Sequence, residues 1–230
     1  MAFLRLCFVL KYQIKLIEIM SLLLSKARPL PFPIRRVYCV GRNYAEHRKE
    51  MGGSDRDRPF FFMKPYDAVH QTKNLPYPKN TAQLSYEGEL VVIVGPSATI
   101  YGITVGVDLT KRDIQSESKK AGRPWESSKS FDLSALIGEI VPVSELHREV
   151  EASILTVTLN GTIAQQAPVS DMIWSIPELF TELEKQDFSV KCGDIIFTGT
   201  PAGVGQLKVG DHCQVSLERD DVPHLDFTVV

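Results

Sequence analysis

The stretch Tyr86-Glu87-Gly88-Glu89-Leu90-Val91-Val92-Ile93-Val94 sets two carboxylates one residue apart at the head of an apolar run. In an extended strand alternate side chains share a face, so Glu87 and Glu89 point the same way, Val91 and Ile93 continue that face, and Leu90, Val92 and Val94 fill the other. Two carboxylates entering a buried strand repel each other and resist desolvation unless a cation neutralises them. Gly106-Val107-Asp108-Leu109-Thr110 supplies a third acid at the end of another apolar run. An all-oxygen set of three carboxylates suits Mg²⁺, with Mn²⁺ as an alternative, better than zinc. Solvated strand ends are the ordinary alternative for such a pair.

Other residue groups are weaker by themselves. His47 and Glu50 lie three apart, on one face if the segment is helical, and would form a general base in which the carboxylate fixes the imidazole tautomer. A surface pair is the plain alternative. Lys129 in Ser128-Lys129-Ser130-Phe131 is a solvated lysine in isolation, but in a cleft it would anchor an oxyanion or a carboxylate. Thr198-Gly199-Thr200-Pro201-Ala202-Gly203-Val204-Gly205 would let backbone N–H groups approach an anion, yet it lacks the Gly-Lys-Ser/Thr ending of a nucleotide-binding loop. An ordinary interstrand loop is its alternative. No G-x-S-x-G elbow and no H-E-x-x-H helix is present, which removes the common serine hydrolase and zinc protease readings.

The elements that must position these residues are mostly strands. They are expected at 36–40, 59–64, 86–94, 102–109, 154–160, 194–198 and 212–218, with hairpin signals at Asn160-Gly161 and Val209-Gly210-Asp211. Helical pattern is limited to a segment from Asn43 through Met51, a piece around 112–121, and 175–185 with Pro177 in its first turn. Many short strands with few helices predict a rolled or sandwiched sheet rather than alternating βαβ units.

At 230 residues, 43% hydrophobic, 23% charged and with a net charge of -2, the chain fits a single large core and carries no basic stripe of the kind nucleic acid requires. Residues 27–34 carry three prolines, so residues 1–34 read as an extension and lead-in and residues 35–230 as one catalytic domain. Arg5, Lys11, Lys15 and Glu18 interrupt the apolar amino terminus well below the roughly 18 residues of a membrane span, so neither a span nor a signal or transit peptide is expected. Met20 is an alternative start. Cys7, Cys39, Cys192 and Cys213 are scattered without a CxxC pair, which fits a reducing cytoplasm, and Cys39 and Cys192 sit in strand-like contexts where burial is expected.

In order along the chain, 39–47 (Cys-Val-Gly-Arg-Asn-Tyr-Ala-Glu-His), Phe62-Met63-Lys64-Pro65, the Glu87-x-Glu89 strand, 108–115 (Asp-Leu-Thr-Lys-Arg-Asp-Ile-Gln), 129–132 (Lys-Ser-Phe-Asp) and 193–205 resemble the fumarylacetoacetate hydrolase family. The resemblance is nearest to its fumarylpyruvate hydrolase and acylpyruvase branch. It implies a mostly β fold of the rolled-sheet type with a few short helices, and a homodimer. It also implies Mg²⁺ held by Glu87, Glu89 and Asp108, with His47, Glu50 and Lys129 as catalytic residues. Thr200 contacts the substrate, Arg112 and Gln115 line the same pocket, and Arg42 is placed with them as substrate-binding.

The reaction so implied is hydrolysis of a C–C bond in a 2,4-dioxo acid, with pyruvate enolate as leaving group and water activated by a lid that carries His47 and Glu50. Decarboxylation of oxaloacetate through the same enolate is the alternative, and a catalytically degenerate scaffold is a third reading. Two departures stand out. Gly95 to Tyr101 is only seven residues where the family carries a longer connection, which puts the support of Asp108 in question, and Ser85-Tyr86 stands where many relatives have histidine.

Overall fold

A computed structural model describes residues 30–46 and 57–230. Ten principal strands carry the fold: β1 (Val37–Gly41), β2 (Phe60–Lys64), β3 (Gly88–Val94), β4 (Ile100–Asp108), β5 (Ala135–Ile137), β6 (Ile154–Leu159), β7 (Thr162–Pro168), β8 (Ile195–Phe197), β9 (His212–Leu217) and β10 (Leu225–Val229). Among the described residues there are three α-helices: α1 (Arg112–Lys120), α2 (Glu126–Lys129) and α3 (Ile176–Glu184).

The larger sheet runs β2-β1-β8-β3-β4-β5 and ends on the two-residue strand Val69–His70. Within it β1 and β8 are parallel, whereas β3 is antiparallel to both β8 and β4. The second sheet is β7-β6-β9-β10, closed by Asn74–Leu75, and a small third sheet joins Gly205–Gln206, Leu84–Tyr86 and Thr110–Lys111. This is the mostly β, curled-sheet architecture that the strand pattern predicts.

The alternation read from the sequence of β3 explains where its two faces go. Leu90, Val92 and Val94 pack with Leu155, Val157, Val215 and Phe227 in the core between the two large sheets. Val91 and Ile93 lie on the opposite face with Val37, Cys39, Ile195 and Phe197. A strand apolar on both faces can only be central.

Asn160-Gly161 forms the expected hairpin, with positive φ at both residues (51° and 80°), between β6 and β7. Helix α3 starts with a capping box in which Ser175 and Glu178 satisfy each other's backbone groups. Three expectations change. Val209-Gly210-Asp211 turns between strands of different sheets instead of closing a hairpin, because β9 pairs with β6 and β10. The long strand expected over 86–94 breaks at Glu87, freeing Tyr86 to join the small sheet. Cys192, expected to be buried, is only partly covered. The helix expected from Asn43 through Met51 lies mostly outside the described residues, as do His47, Glu50 and Cys7.

Candidate active site

Strand register assembles the acidic trio. Glu87 sits at the break before β3, Glu89 is the second residue of β3, and Asp108 closes β4. Pairing of Gly88 with Val107 and Glu89 with Gly106 brings Asp108 beside Glu87, whose carbonyl accepts the Asp108 N–H at 2.9 Å. One oxygen from each carboxylate lies within 4.8 Å of the others, and all three residues are buried.

The short connection leaves this intact. Gly95 N–H bonds to Thr99 at 2.7 Å, and Ser97 and Ala98 take positive φ values of 55° and 57° to turn the chain tightly. That left-handed backbone costs about 1–2 kcal/mol per residue. The cost falls at the far end of the β3–β4 ladder, and continuous pairing from Gly88 to Ile93 holds the end that carries the acids.

Three basic side chains already surround the trio. The Lys129 ammonium lies 2.7 Å from both Glu87 Oε2 and Asp108 Oδ2, and 4.9 Å from the centroid of the Phe62 ring. Arg112 donates to Glu87 Oε1 at 2.5 Å and to Gln115 Oε1 at 2.8 Å. Lys64 sits 2.8 Å from Asp108 Oδ1 and donates to the backbone carbonyl of Lys129. Its approach to Oδ1 is ionic, without hydrogen-bond alignment.

Glu89 differs from its neighbours. Its Oε2 accepts the Gly199 N–H at 2.6 Å, and among the described residues no cation lies within ion-pair distance. Burial, and then the Asp108 charge, push its pKa well above the usual carboxylate range against the pull of that N–H. For Glu87 burial would do the same, but Lys129 and Arg112 outweigh it and hold the pKa well below that range. Burial likewise opposes the charge on Lys129, and Asp108 and Glu87 prevail, raising its pKa so that it stays an ammonium.

Three clustered carboxylate oxygens fit a hard divalent cation, and an ion there would give Glu89 the positive partner it lacks. It would share Glu87 and Asp108 with Lys129. The cation demand inferred from sequence is therefore met partly by lysine and arginine, and Glu89 carries what remains.

The glycine-rich loop supplies the facing wall. Gly199 has φ 101°, and a Cβ there would lie 2.6 Å from Asn43 Cβ, so only glycine turns its N–H onto Glu89. Asn43 pins that loop by donating to the Thr198 carbonyl at 2.7 Å while accepting Trp174 N–H at 2.8 Å. The Thr200 hydroxyl donates to Gly88 O at 2.8 Å and accepts from Gln165 Nε2 at 2.8 Å. Gln165 also accepts the Gly88 N–H at 3.0 Å, tying β7 to the head of β3.

A cleft opens over these groups, lined by Arg42, Phe62, Glu87, Glu89, Arg112, Gln115, Lys119, Trp125, Lys129 and Thr200 among others. Of the ten residues singled out from sequence, eight converge on or beneath this cleft and two, His47 and Glu50, lie outside the described residues. Asp108 lies below it, bound to Lys129.

Sequence reasoning missed four residues. Lys64 was visible as a charge within the aromatic strand β2, and Lys119 as the residue seven after Arg112, on the helical face that carries Gln115. Trp125 stands edge-on to Phe60, with centroids 5.5 Å apart. Gln165 had no local signal, because its partners come from β3 and the 198–205 loop.

The profile described as "Fumarylacetoacetate (FAA) hydrolase C-terminal" matches residues 36–230. This chain belongs to that family. It is 37% identical over 200 residues to oxaloacetate tautomerase YcgM of Escherichia coli, covering 82% of this chain and 91% of that protein. Oxaloacetate tautomerase fahd-1 of Caenorhabditis elegans is 35% identical over 193 residues, covering 79% and 89%. Among solved structures, fumarylpyruvate hydrolase from Pseudomonas aeruginosa in complex with Mn²⁺ and pyruvate superposes with a TM-score of 0.81 at 37% identity, covering 89% of this chain and 93% of that one. Family relatives are thus enzymes named for hydrolysis and for tautomerisation.

Proposed function

We propose that this protein enolises a small 2-oxo acid with the help of a divalent cation, and that its reaction is keto–enol tautomerisation of oxaloacetate. The observation that carries the proposal is the buried Glu87–Glu89–Asp108 cluster with the Lys129 ammonium between two of its members. The family relatives named oxaloacetate tautomerase support the choice of substrate.

A bound Mg²⁺ or Mn²⁺ would be held by Glu87, Glu89 and Asp108 and would supply Lewis acidity to the 2-oxo group. Lys129, kept protonated by its two carboxylates, stabilises negative charge developing on the 2-oxo oxygen. Arg112, braced by Gln115, holds the substrate carboxylate in register, and the Thr200 hydroxyl joins it by turning its one proton away from Gly88 O. Tautomerisation breaks a C3–H bond and places a proton on the 2-oxo oxygen, so it needs one proton shuttle and no second reactant. His47 and Glu50, expected to provide the base, lie outside the described residues.

The second reading is hydrolysis of an acylpyruvate such as fumarylpyruvate, favoured by the similarity to the Pseudomonas aeruginosa hydrolase. There water adds across the C3–C4 bond to give pyruvate and a carboxylic acid. The same residues would stabilise the departing enolate, but the reading demands an activated water as well.

The test follows the enol absorbance of oxaloacetate, and pyruvate release from oxaloacetate and from acylpyruvates, with and without Mg²⁺ or Mn²⁺. Metal-dependent loss of enol without pyruvate is the expected result. Pyruvate plus an equivalent of carboxylic acid from an acylpyruvate would shift the assignment to the hydrolase, and pyruvate plus carbon dioxide from oxaloacetate would shift it to decarboxylation. Full activity after removal of metal, or inertness toward every substrate, would overturn the proposal.

A further inference from the structure

The rim of the cleft carries more positive charge than the acids beneath it use. Arg112 already donates to Glu87 and Gln115 and is assigned above to the 2-oxo acid end of the substrate. Arg42 and Lys119 line the same cleft, and neither has an ion-pair or hydrogen-bond partner of opposite charge among the described residues. Lys119 is solvent-exposed and lays its ammonium 4.9 Å from the centroid of Trp125, which the edge contact with Phe60 holds in place. The cations feel one another: burial first, and then the charges of Arg112 and Arg42, lower the Lys119 pKa.

Two features show that this clustering is built. Arg42 holds a left-handed backbone, φ 59°, directly after Gly41, where any Cβ would meet the Phe60 ring at 1.9 Å. Strained backbone of this kind persists where the surroundings enforce it, and it concentrates at binding sites. Lys119 follows Arg112 and Gln115 on one face of α1, so the helix presents its polar stripe to the cleft.

We infer that Arg42 and Lys119, backed by Trp125, form a subsite for a second carboxylate on the substrate, remote from the 2-oxo acid end that faces Lys129 and the acidic trio. The inference rests on the proposed 2-oxo acid chemistry and narrows it: the preferred substrates are dianions, in which the C4 group is a carboxylate or carries one, over monoanionic acylpyruvates whose acyl group is uncharged. A distal carboxylate would neutralise two like charges that otherwise repel across the rim, so selectivity comes from relief of repulsion as well as from attraction.

Oxaloacetate and 2-oxobutanoate are close in shape and differ in a terminal carboxylate against a methyl group. Calorimetric titration of both into the Mn²⁺-loaded protein is expected to show oxaloacetate binding at least tenfold more tightly, with a preference that shrinks as salt rises. Lys119→Met keeps the aliphatic stem over Trp125, and the preference should fall severalfold toward parity, while Lys119→Arg restores it. An unchanged preference in Lys119→Met, with circular dichroism matching the parent, would overturn the subsite while leaving the enolisation chemistry standing. Failure of the parent to bind either acid would overturn both.

Discussion

Lys64 and Asp108 form an ion pair of 2.8 Å in which neither side chain reaches solvent. Removing one partner of such a pair strands the other charge, which costs about 3–5 kcal/mol where no second cation is present. Lys129 also holds Asp108, so Lys64→Met is expected to lower unfolding free energy by roughly 3 kcal/mol, the low end of that range. Denaturant titration measures it, and adding Asp108→Asn to the variant should recover part of the loss. A change below about 1 kcal/mol, as for a surface pair, would show that the two lysines substitute for each other.

Glu89 links metal binding to protons. Its pKa is raised by burial and by Asp108, so the metal-free protein keeps a proton at pH values where a free carboxyl, near 4.5, has lost it. The metal must displace that proton, and apparent Mn²⁺ affinity should climb by up to about tenfold per pH unit above 4.5 until Glu89 has ionised. The same shift destabilises the metal-free fold as pH rises through this window, because there the folded state binds more protons than the unfolded chain. Glu87 has the opposite sign: its contribution is present above about 4.5 and is lost as pH falls. Calorimetry in two buffers of different ionisation heat should detect proton release for the parent and none for Glu89→Gln.

The trio was legible because it follows from local rules. Period-two alternation put Glu87 and Glu89 on one face, and two apolar runs ending in acids implied adjacent strands. Helix α1 placed Arg112 and Gln115 together by the same logic of spacing. What stayed hidden depends on pairings between distant segments. The break at Glu87 arises because Leu84–Tyr86 joins two-residue strands from 110–111 and 205–206, and strands that short leave no periodicity to read. Lys64 and Gln165 act through partners far along the chain, at Asp108, Gly88 and Thr200, so their neighbours could not be inferred from spacing. Val209-Gly210-Asp211 carries a valid turn signal, but a turn does not say which sheet each flanking strand joins.

Gly199 is the position where an added methyl group should do most damage to the site. With φ at 101° and Asn43 Cβ 2.6 Å from where its own Cβ would lie, Gly199→Ala strains the backbone and pushes the 198–205 loop away from Asn43. A loss of about 1–3 kcal/mol is expected from the conformation alone. The N–H that Glu89 accepts at 2.6 Å would turn away, so Mn²⁺ affinity should change together with melting temperature. Gly210→Ala also occupies positive φ but has nothing within 4 Å of its Cβ, which makes it the control: it should lower stability without moving metal affinity.

Gln165 and Thr200 should behave as one unit. The Gln165 amide donates to the Thr200 hydroxyl and to Pro201 O while its oxygen accepts the Gly88 N–H, and the Thr200 hydroxyl itself donates to Gly88 O. Gln165→Leu preserves bulk but leaves the buried Gly88 N–H unpaired, for a loss of about 1–3 kcal/mol. Thr200→Val removes a hydroxyl on the cleft wall, proposed above to meet substrate, and takes from Gln165 one of its acceptors. If the network sets the position of the Thr200 hydroxyl, the single changes lower kcat/KM by similar factors and the double variant is little worse than either. The cycle then shows a coupling of about 0.5–3 kcal/mol. Additive losses would mean that Gln165 acts on the fold alone and Thr200 acts on substrate without its support.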